Sequence, residues 1–384
     1  MVRAYMPVPR PSDIIYAPID LEIEIAKGLA ERGHNVTIYA PLGSEINIPN
    51  VTVETLNLRP LVESQDEFND LLDNTEFLSH DVHGLWDRKF VNDMYARAEK
   101  GEFDILHFHH PEAALSGAVQ HKSIPTVYTL HDPIYDWYKE VFELFASPNQ
   151  QFISISNNQR RDAPDLPYAA TVYNGTDVKL FNYSDEAEDF LLFAGRIAPE
   201  KGVKEAIQVA KKAKKRLLII GPVNHGSQGY FDQYIKPELD DQILYLGRMD
   251  QNQLPKYYQK AIAVLTPIQW EEPFGLTTIE AMACGAPVIS LRRGAAPEII
   301  KHGKTGYIVD SLAEMVECVG RISEINRHDC RDHVRKNFSL ERMIDGYEAA
   351  YMNVLNLQAS PRIKTERYLK MTLDRARKAL RKRI

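Results

Sequence analysis

The chain has 384 residues, of which 44% are hydrophobic and 26% charged, and its net charge is −7. This length is more than one hydrophobic core normally serves, so we expect two domains of an ordinary soluble protein. Its three cysteines, Cys284, Cys318 and Cys330, have no metal-binding spacing. No signal segment and no run of about 18 apolar residues is present, which excludes a membrane-spanning class and predicts a cytoplasmic protein.

The first half of the chain alternates short apolar strands with helices. A helix over residues 19–32 carries Leu21, Ile25 and Leu29 at helical spacing and ends at Gly33. The predicted strands are Val36–Tyr39, Ile105–Phe108, Thr126–Thr129, Phe152–Ile155 and Thr171–Tyr173. Such alternation predicts a parallel sheet covered on both faces. Residues 60–100 are a polar exception with helical stretches, which we place near a cleft or over a helix.

Histidines stand where two of these strands end. His107 lies inside one strand and is interpreted as a core histidine, whereas His109 and His110 lie at its exit. His131 follows the next strand, and ligands gather at the carboxyl ends of parallel strands. No carboxylate or cysteine accompanies the histidines at a ligand spacing, so no metal site is expected.

The start of the chain and a segment near its middle indicate where the domains begin and end. A first, short strand is expected within Val2–Val8, interrupted by Pro7, and the loop that follows contains no glycine. The turn sequence Y-N-G-T-D at 173–177 and the acidic segment up to Asp189 predict an interdomain linker. We therefore expect one domain over residues 1–178 and a second over 186–338.

The second half repeats the alternation of strands and helices, which predicts another doubly wound α/β domain. Its predicted strands are Phe190–Ala194, Leu217–Ile220, Ile243–Leu246, Ala263–Thr266, Val288–Ser290 and Gly306–Val309. The loop Gly195–Gly202 after the first of them supplies two cations, Arg196 and Lys201. Fixed cations of this kind can neutralise a diphosphate leaving group, although basic residues in surface loops are often only solvated.

Two carboxylates mark the segment EEPFGLTTIEAMACGAP at 271–287. Because Pro273 and Gly275 separate them, Glu272 is predicted on a loop and Glu280 about one turn inside a helix. A helix start beside a glycine can hold a phosphate, and carboxylates accept hydrogen bonds from sugar or ribose hydroxyls. The alternative is a solvated loop acid and an ordinary helical glutamate.

The phrase E-P-F-G-L-x-x-x-E-A-M-A-x-G-x-P-V-I closely resembles the donor-binding signature of retaining glycosyltransferases of family 4. T-L-H-D-P and G-R-x-x-x-E-K-G resemble further motifs of that family. The resemblance covers nearly the whole chain up to about residue 356. It implies the GT-B fold, in which two Rossmann-like doubly wound domains face a cleft and a C-terminal helix, here 340–357, crosses back to the N-terminal domain.

The resemblance also implies the roles of the site residues. It assigns Arg196 and Lys201 to the donor diphosphate and Glu280 to the ribose. It assigns the sugar to Glu272 and its neighbours Phe274, Gly275 and Leu276. His131 then lines the reacting face, so that His131 and Glu272 are the expected catalytic residues.

The function expected from this resemblance is transfer of a sugar from a nucleotide diphosphate sugar to an unidentified acceptor. A UDP-sugar is favoured over a GDP-sugar as the donor. The acceptor is expected to be lipid-linked or a precursor of the cell envelope or of a polysaccharide. No Asp-x-Asp pair fits a metal-dependent donor site, so neither a metal nor another cofactor is expected. Members of the family usually have a glycine-rich loop after the first strand, and this chain has no glycine there. The difference leaves open a non-catalytic GT-B protein that binds a nucleotide sugar or a partner. An epimerase or a phosphorylase is a second alternative, for which no acid–base pair or pyridoxal lysine is recognised.

The C-terminal tail differs in charge from the rest of the chain. Residues 361–384 carry ten Lys or Arg against Glu366 and Asp374, so the other 360 residues have a net charge of −15. The tail, placed at 360–384 as a basic amphipathic helix, is a candidate for binding an anionic membrane at its inner face. A solvated tail, or one docked on the acidic body, is the alternative. No aromatic platform accompanies the charge, so nucleic acid is not expected as a partner.

Overall fold

The computed structural model describes residues 5–11, 17–74, 78, 80 and 84–358. The predicted strand within Val2–Val8 lies partly outside this range, and residues 5–11 contain no strand. The predicted tail helix at 360–384 lies wholly outside it. Within the described part, no helix is both long and apolar enough to cross a membrane.

The first half folds around parallel strands with helices between them. Its elements in chain order are α1 (Ala17–Glu31), β1 (Val36–Tyr39), β2 (Val51–Glu54), α2 (Gln65–Asp73), α3 (Gly84–Glu99), β3 (Leu106–Phe108), α4 (Pro111–Gln120), β4 (Thr126–Leu130), α5 (Asp136–Leu144), β5 (Gln150–Ser154) and β6 (Tyr168–Thr171). Strands β3, β4, β5 and β6 form one sheet in that order, and β1 pairs with β2. All five residues of β4 are buried, as expected for a central parallel strand.

Most predicted strands are present with ends that agree within about two residues, and two strands differ more from the sequence prediction. The strand expected at Thr171–Tyr173 runs from Tyr168 to Thr171. It ends where its partner β5 ends, because Ser154 is paired with Thr171 and accepts the last hydrogen bond from Val172 N–H. Strand β2 was not predicted; its sequence V-T-V-E is half-exposed and too short to show a clear period.

The second half is a six-stranded parallel sheet with helices on both faces. Its elements are β7 (Glu188–Ala194), α6 (Val203–Ala213), β8 (Arg216–Ile220), β9 (Ile243–Tyr245), α7 (Pro255–Lys260), β10 (Ala261–Thr266), α8 (Leu276–Ala283), β11 (Val288–Leu291), α9 (Ala296–Ile299), β12 (Gly306–Val309), α10 (Leu312–Gly320) and α11 (Arg327–Asn337). The strand order is β12-β11-β10-β7-β8-β9. The chain leaves β7 and β10 in opposite directions, so a crevice opens between their carboxyl ends.

The chain crosses between the halves twice, and the two crossings pair. Thr176 donates its backbone N–H to the Phe338 carbonyl at 2.9 Å, and Leu340 donates to the Thr176 carbonyl at 3.2 Å. The last helix, α12 (Leu340–Gln358), then packs against α1, and residues of the two helices share one buried cluster. The expected returning helix and the two Rossmann-like units of a GT-B fold are therefore confirmed.

Candidate active site

The loop after β7 lies against the loop after β10 at the crevice. Gly202 has φ 77°, and a Cβ at this position would overlap the carbonyl oxygen of Pro267. Only glycine therefore permits both the left-handed backbone and this close approach. Because of it, Lys201 of the first loop lies against the segment that carries Glu272.

Lys201 and Glu272 form an ion pair within the crevice. The Lys201 Nζ donates to Glu272 Oε2, and the two side chains are 16% and 19% exposed. Trp270 Nε1 donates to the same oxygen at 2.8 Å, and the Lys201 ammonium lies 4.9 Å from the centre of the Trp270 ring. The family resemblance assigned Lys201 to the diphosphate and Glu272 to the sugar of the donor. In the structure, these two side chains bind each other.

Arg196, the other cation of the loop, is held more loosely. Its guanidinium lies 3.6 Å from a carboxylate oxygen of Glu200, and its side chain is 46% exposed. Exposed pairs of this type contribute little to stability. The side chain can therefore turn toward an anion at low cost.

The turn after β11 fixes the backbone of the Glu272 loop. Ala295 donates its N–H to the Glu272 carbonyl at 2.9 Å, and Gly294 donates to the Glu271 carboxylate at 2.8 Å. Gly294 has φ 54°, and a side chain there would overlap the Glu272 backbone. Glu272 is thus held by three loops that follow neighbouring strands β7, β10 and β11.

Helix α8 carries the second carboxylate, as predicted. Gly275, with φ 99°, precedes the helix without a side-chain cap. The Thr278 N–H donates to the Gly275 carbonyl at 3.1 Å, which leaves the amides of Leu276 and Thr277 at the helix start for a ligand. Glu280 is 9% exposed and accepts a hydrogen bond from the Tyr258 hydroxyl at 3.2 Å. Burial raises the pKa of Glu280 to about 7, and the hydrogen bond from Tyr258 opposes this rise.

Phe274 and Leu276 flank Gly275 at the start of α8. Phe274 is buried and its ring lies 6.1 Å from those of Tyr173 and Phe338, at the crossings between the halves. Leu276 is half-buried against the cluster shared by α1 and α12. Phe274 therefore packs the loop before α8 against the crossing segments, and Leu276 packs the start of α8 against α1 and α12.

His131 follows β4 in the first half. Its Nε2 lies 2.9 Å from Nδ1 of His109, which is buried. Burial lowers the pKa of His131 to about 4, so the imidazole is neutral at pH 7. His107 contacts the hydroxyls of Thr129 at 2.8 Å and Tyr351 at 2.6 Å, which places it between β4 and α12.

The predicted residues thus divide between the two halves. Lys201 and Glu272 meet at the carboxyl edge of the second sheet, where Arg196 lies in the loop of Lys201 and Glu280 in the helix after the Glu272 loop. His131 stands at the carboxyl edge of the first sheet. Within the described ranges, no three His, Cys, Asp or Glu side chains are grouped to hold a metal ion. Sequence reasoning missed Trp270, although an aromatic residue just after β10 lies at the edge where ligands gather.

Two family models match successive parts of the chain. The model described as "Glycosyltransferase Family 4" matches residues 23–180, and the one described as "Glycosyl transferases group 1" matches residues 179–337. The chain belongs to glycosyltransferase family 4. It is therefore a glycosyltransferase whose donor is a nucleotide sugar.

Relatives of this glycosyltransferase match it along most of its length. The N-acetyl-alpha-D-glucosaminyl L-malate synthase of Bacillus anthracis is 25% identical over 377 residues, which covers 86% of this chain and 92% of the relative. A D-inositol 3-phosphate glycosyltransferase of Thermobifida fusca is 24% identical over 397 residues, with 87% and 88% covered.

Solved structures show the same fold. The sucrose-phosphate synthase of Thermosynechococcus elongatus matches with a TM-score of 0.67 at 19% identity, covering 87% of this chain and 92% of that one. The Anabaena protein HepE, in complex with UDP-glucose, matches with a TM-score of 0.64 at 20% identity, covering 88% and 96%.

Proposed function

We propose that this glycosyltransferase transfers a hexose from a UDP-sugar to its acceptor with retention of anomeric configuration and without a metal ion. The observation that carries the proposal is the ion pair of Lys201 and Glu272 at the crevice between β7 and β10, with Arg196 in the adjoining loop and Glu280 in the adjoining helix. The preference for UDP draws support from HepE, whose structures were determined with UDP and with UDP-glucose.

The crevice offers one type of group for each part of such a donor. Glu280, buried one turn inside α8, accepts hydrogen bonds from the ribose hydroxyls. Arg196 and Lys201 bind the diphosphate together with the amides at the start of α8. Glu272 accepts from the sugar hydroxyls, for which the donor must replace part of its ion pair with Lys201.

Cleavage of the glycosidic bond leaves negative charge on the departing diphosphate. Lys201 is then released from Glu272 and stabilises that charge, while Arg196 turns toward it. His131 faces the anomeric centre from the first half as a neutral imidazole, where it can accept or donate one hydrogen bond without adding charge. The acceptor oxygen bonds to the anomeric carbon on the face from which the phosphate departs and gives its proton to that phosphate, so the configuration is retained.

The acceptor and the place of action belong to the same proposal. The acceptor binds on the first half and is lipid-linked or a cell-envelope or polysaccharide precursor. The enzyme works in the cytoplasm, and its basic tail, residues 360–384, holds it on an anionic membrane surface. Vesicle co-sedimentation of the full chain and of a chain ending at residue 358 tests the tail, and equal binding by both would contradict its role.

Donor hydrolysis tests the reaction without knowledge of the acceptor. The wild type is incubated in chelator with UDP-glucose, UDP-N-acetylglucosamine and GDP-mannose, and nucleotide release is measured. Proton NMR of the freed sugar should show the α-anomer first, since these donors with α linkages are cleaved with retention. Glu272→Gln should lose this activity. Release of the β-anomer first, or release only after a divalent ion is added, would contradict the proposal.

A further inference from the structure

Glu298, in the short helix α9, joins the second half to the first. Its Oε1 accepts from the backbone N–H of Asn158 at 2.6 Å, and its Oε2 accepts from the N–H of Asn157 at 2.8 Å. The Tyr173 hydroxyl and the Asn157 side-chain amide also donate to Oε2, at 2.8 and 2.9 Å. One half-buried carboxylate thus accepts four hydrogen bonds, all from residues of the first half or its last segment before the crossing.

On the first-half side, this contact leads directly to His131. Gln159 follows Asn158 in the chain and is 3% exposed. Its side-chain amide donates to the carbonyl of Leu130 at 3.0 Å and to that of Asp132 at 2.8 Å, the two residues that flank His131. The segment held by Glu298 therefore also holds the backbone on both sides of His131.

On the second-half side, the same helix leads to Glu272. Helix α9 begins directly after Ala295, whose N–H donates to the Glu272 carbonyl. Glu271, next to Glu272, accepts from the Gly294 N–H at 2.8 Å and from the Asn158 side-chain amide at 3.4 Å. Glu298 is thus connected to His131 through Asn158 and Gln159, and to Glu272 through the turn that precedes α9.

We propose that Glu298 is a positioning residue that joins the two halves and sets His131 opposite Glu272. This inference rests on the proposed function for the meaning of that alignment, but the joint itself is a property of the two halves. The backbone amides of Asn157 and Asn158, just before the 3₁₀ turn Gln159–Asp162, are satisfied by a carboxylate of the other half. Separation of the halves exposes both amides and the carboxylate together.

The test compares Glu298→Gln and Glu298→Ala with the wild type, with Glu188→Gln as a matched control. Glu188 lies in the same half and pairs with Lys260 on the exposed surface. Small-angle scattering measures the radius of gyration, calorimetry measures the Kd of UDP, and nucleotide release from the donor measures turnover. The Gln variant is isosteric, so it carries the test if the Ala variant does not fold.

We expect a larger radius of gyration for both variants, with the Ala variant changed more. Turnover should fall at least tenfold in the Ala variant, while the Kd of UDP stays within twofold, because the nucleotide contacts lie in the second half. Tyr173→Phe, which removes one donor from the opposite side, should change both quantities in the same direction by less.

If both Glu298 variants have the radius of gyration and the turnover of the wild type, the inference is overturned. A rise in the Kd of UDP that matches the fall in turnover would also overturn it, since the role would then be local to the donor site. If the wild type shows no turnover, the proposed function fails, but scattering still tests whether Glu298 joins the two halves. An unchanged radius of gyration in the Glu298 variants would overturn that contact, and an increased one would support it.

Discussion

Replacing Glu280 with glutamine should change how the stability of this enzyme depends on pH. Glu280 is almost wholly buried, and burial raises its pKa from 4.5 to about 7. Glutamine has nearly the same shape, can still accept from the Tyr258 hydroxyl and never carries a charge. The variant therefore removes the cost of burying a carboxylate while keeping the packing.

The magnitude follows from the shift. One pKa unit corresponds to about 1.4 kcal/mol, so the full shift is worth about 3 kcal/mol. Because the folded state holds the proton more tightly than the unfolded state, wild-type stability falls as pH rises from 4.5 to 7. Below pH 4.5 the cost is absent, and above pH 7 it is complete.

Urea unfolding of wild type and Glu280→Gln at pH 5 and pH 8 measures the effect. The variant should gain up to about 3 kcal/mol relative to the wild type between the two pH values, whatever its stability at either one. Glu188→Gln controls for the loss of a surface carboxylate. A stability difference between wild type and Glu280→Gln that is the same at both pH values would refute the argument that Glu280 is desolvated.

Three further changes probe the same crevice. Tyr258→Phe removes the hydrogen bond that lowers the pKa of folded Glu280, so the fall in stability that starts near pH 4.5 should continue to a higher pH than in the wild type, as urea unfolding between pH 6 and 9 would show. Gly202→Ala should cost at least about 2 kcal/mol, because it combines a left-handed backbone with overlap against the loop after β10; thermal unfolding measures it. Glu272→Ala should keep UDP binding within about threefold yet abolish donor hydrolysis, since it removes a contact to the sugar.

Much of the fold could be predicted because local pattern and tertiary structure agree there. The strands Val36–Tyr39 and Gly306–Val309 have the predicted bounds, since in each an apolar run coincides with a glycine shortly before it or at its start. The predicted ends of a strand were wrong where its pairing with a neighbouring strand sets them. This is the case for β6, which ends where its partner β5 ends. Strand β2 carries too little apolar sequence to be recognised without its pairing to β1.

The site could be predicted only as separate motifs. The positions of Glu272 and Glu280 on a loop and in a helix follow from Pro273 and Gly275, which are close by in sequence. The ion pair of Glu272 with Lys201 spans 71 residues, and the contacts of Glu298 with Asn157 span 141. No local pattern encodes such pairings. The position of Glu298 just after β11 was the available signal, because carboxyl ends of strands form the crevice.

Calorimetric titration of UDP and GDP in chelator, into wild type and an Arg196→Ala, Lys201→Ala double variant, tests the central claim most directly. Lys212→Ala, an exposed lysine of α6, is the matched control. We predict metal-free binding of UDP that weakens at least about tenfold, or 1.4 kcal/mol, in the double variant and is unchanged in the control. Equal affinity in all three proteins, or no binding of either nucleotide to the wild type, would contradict a diphosphate site at the crevice between β7 and β10.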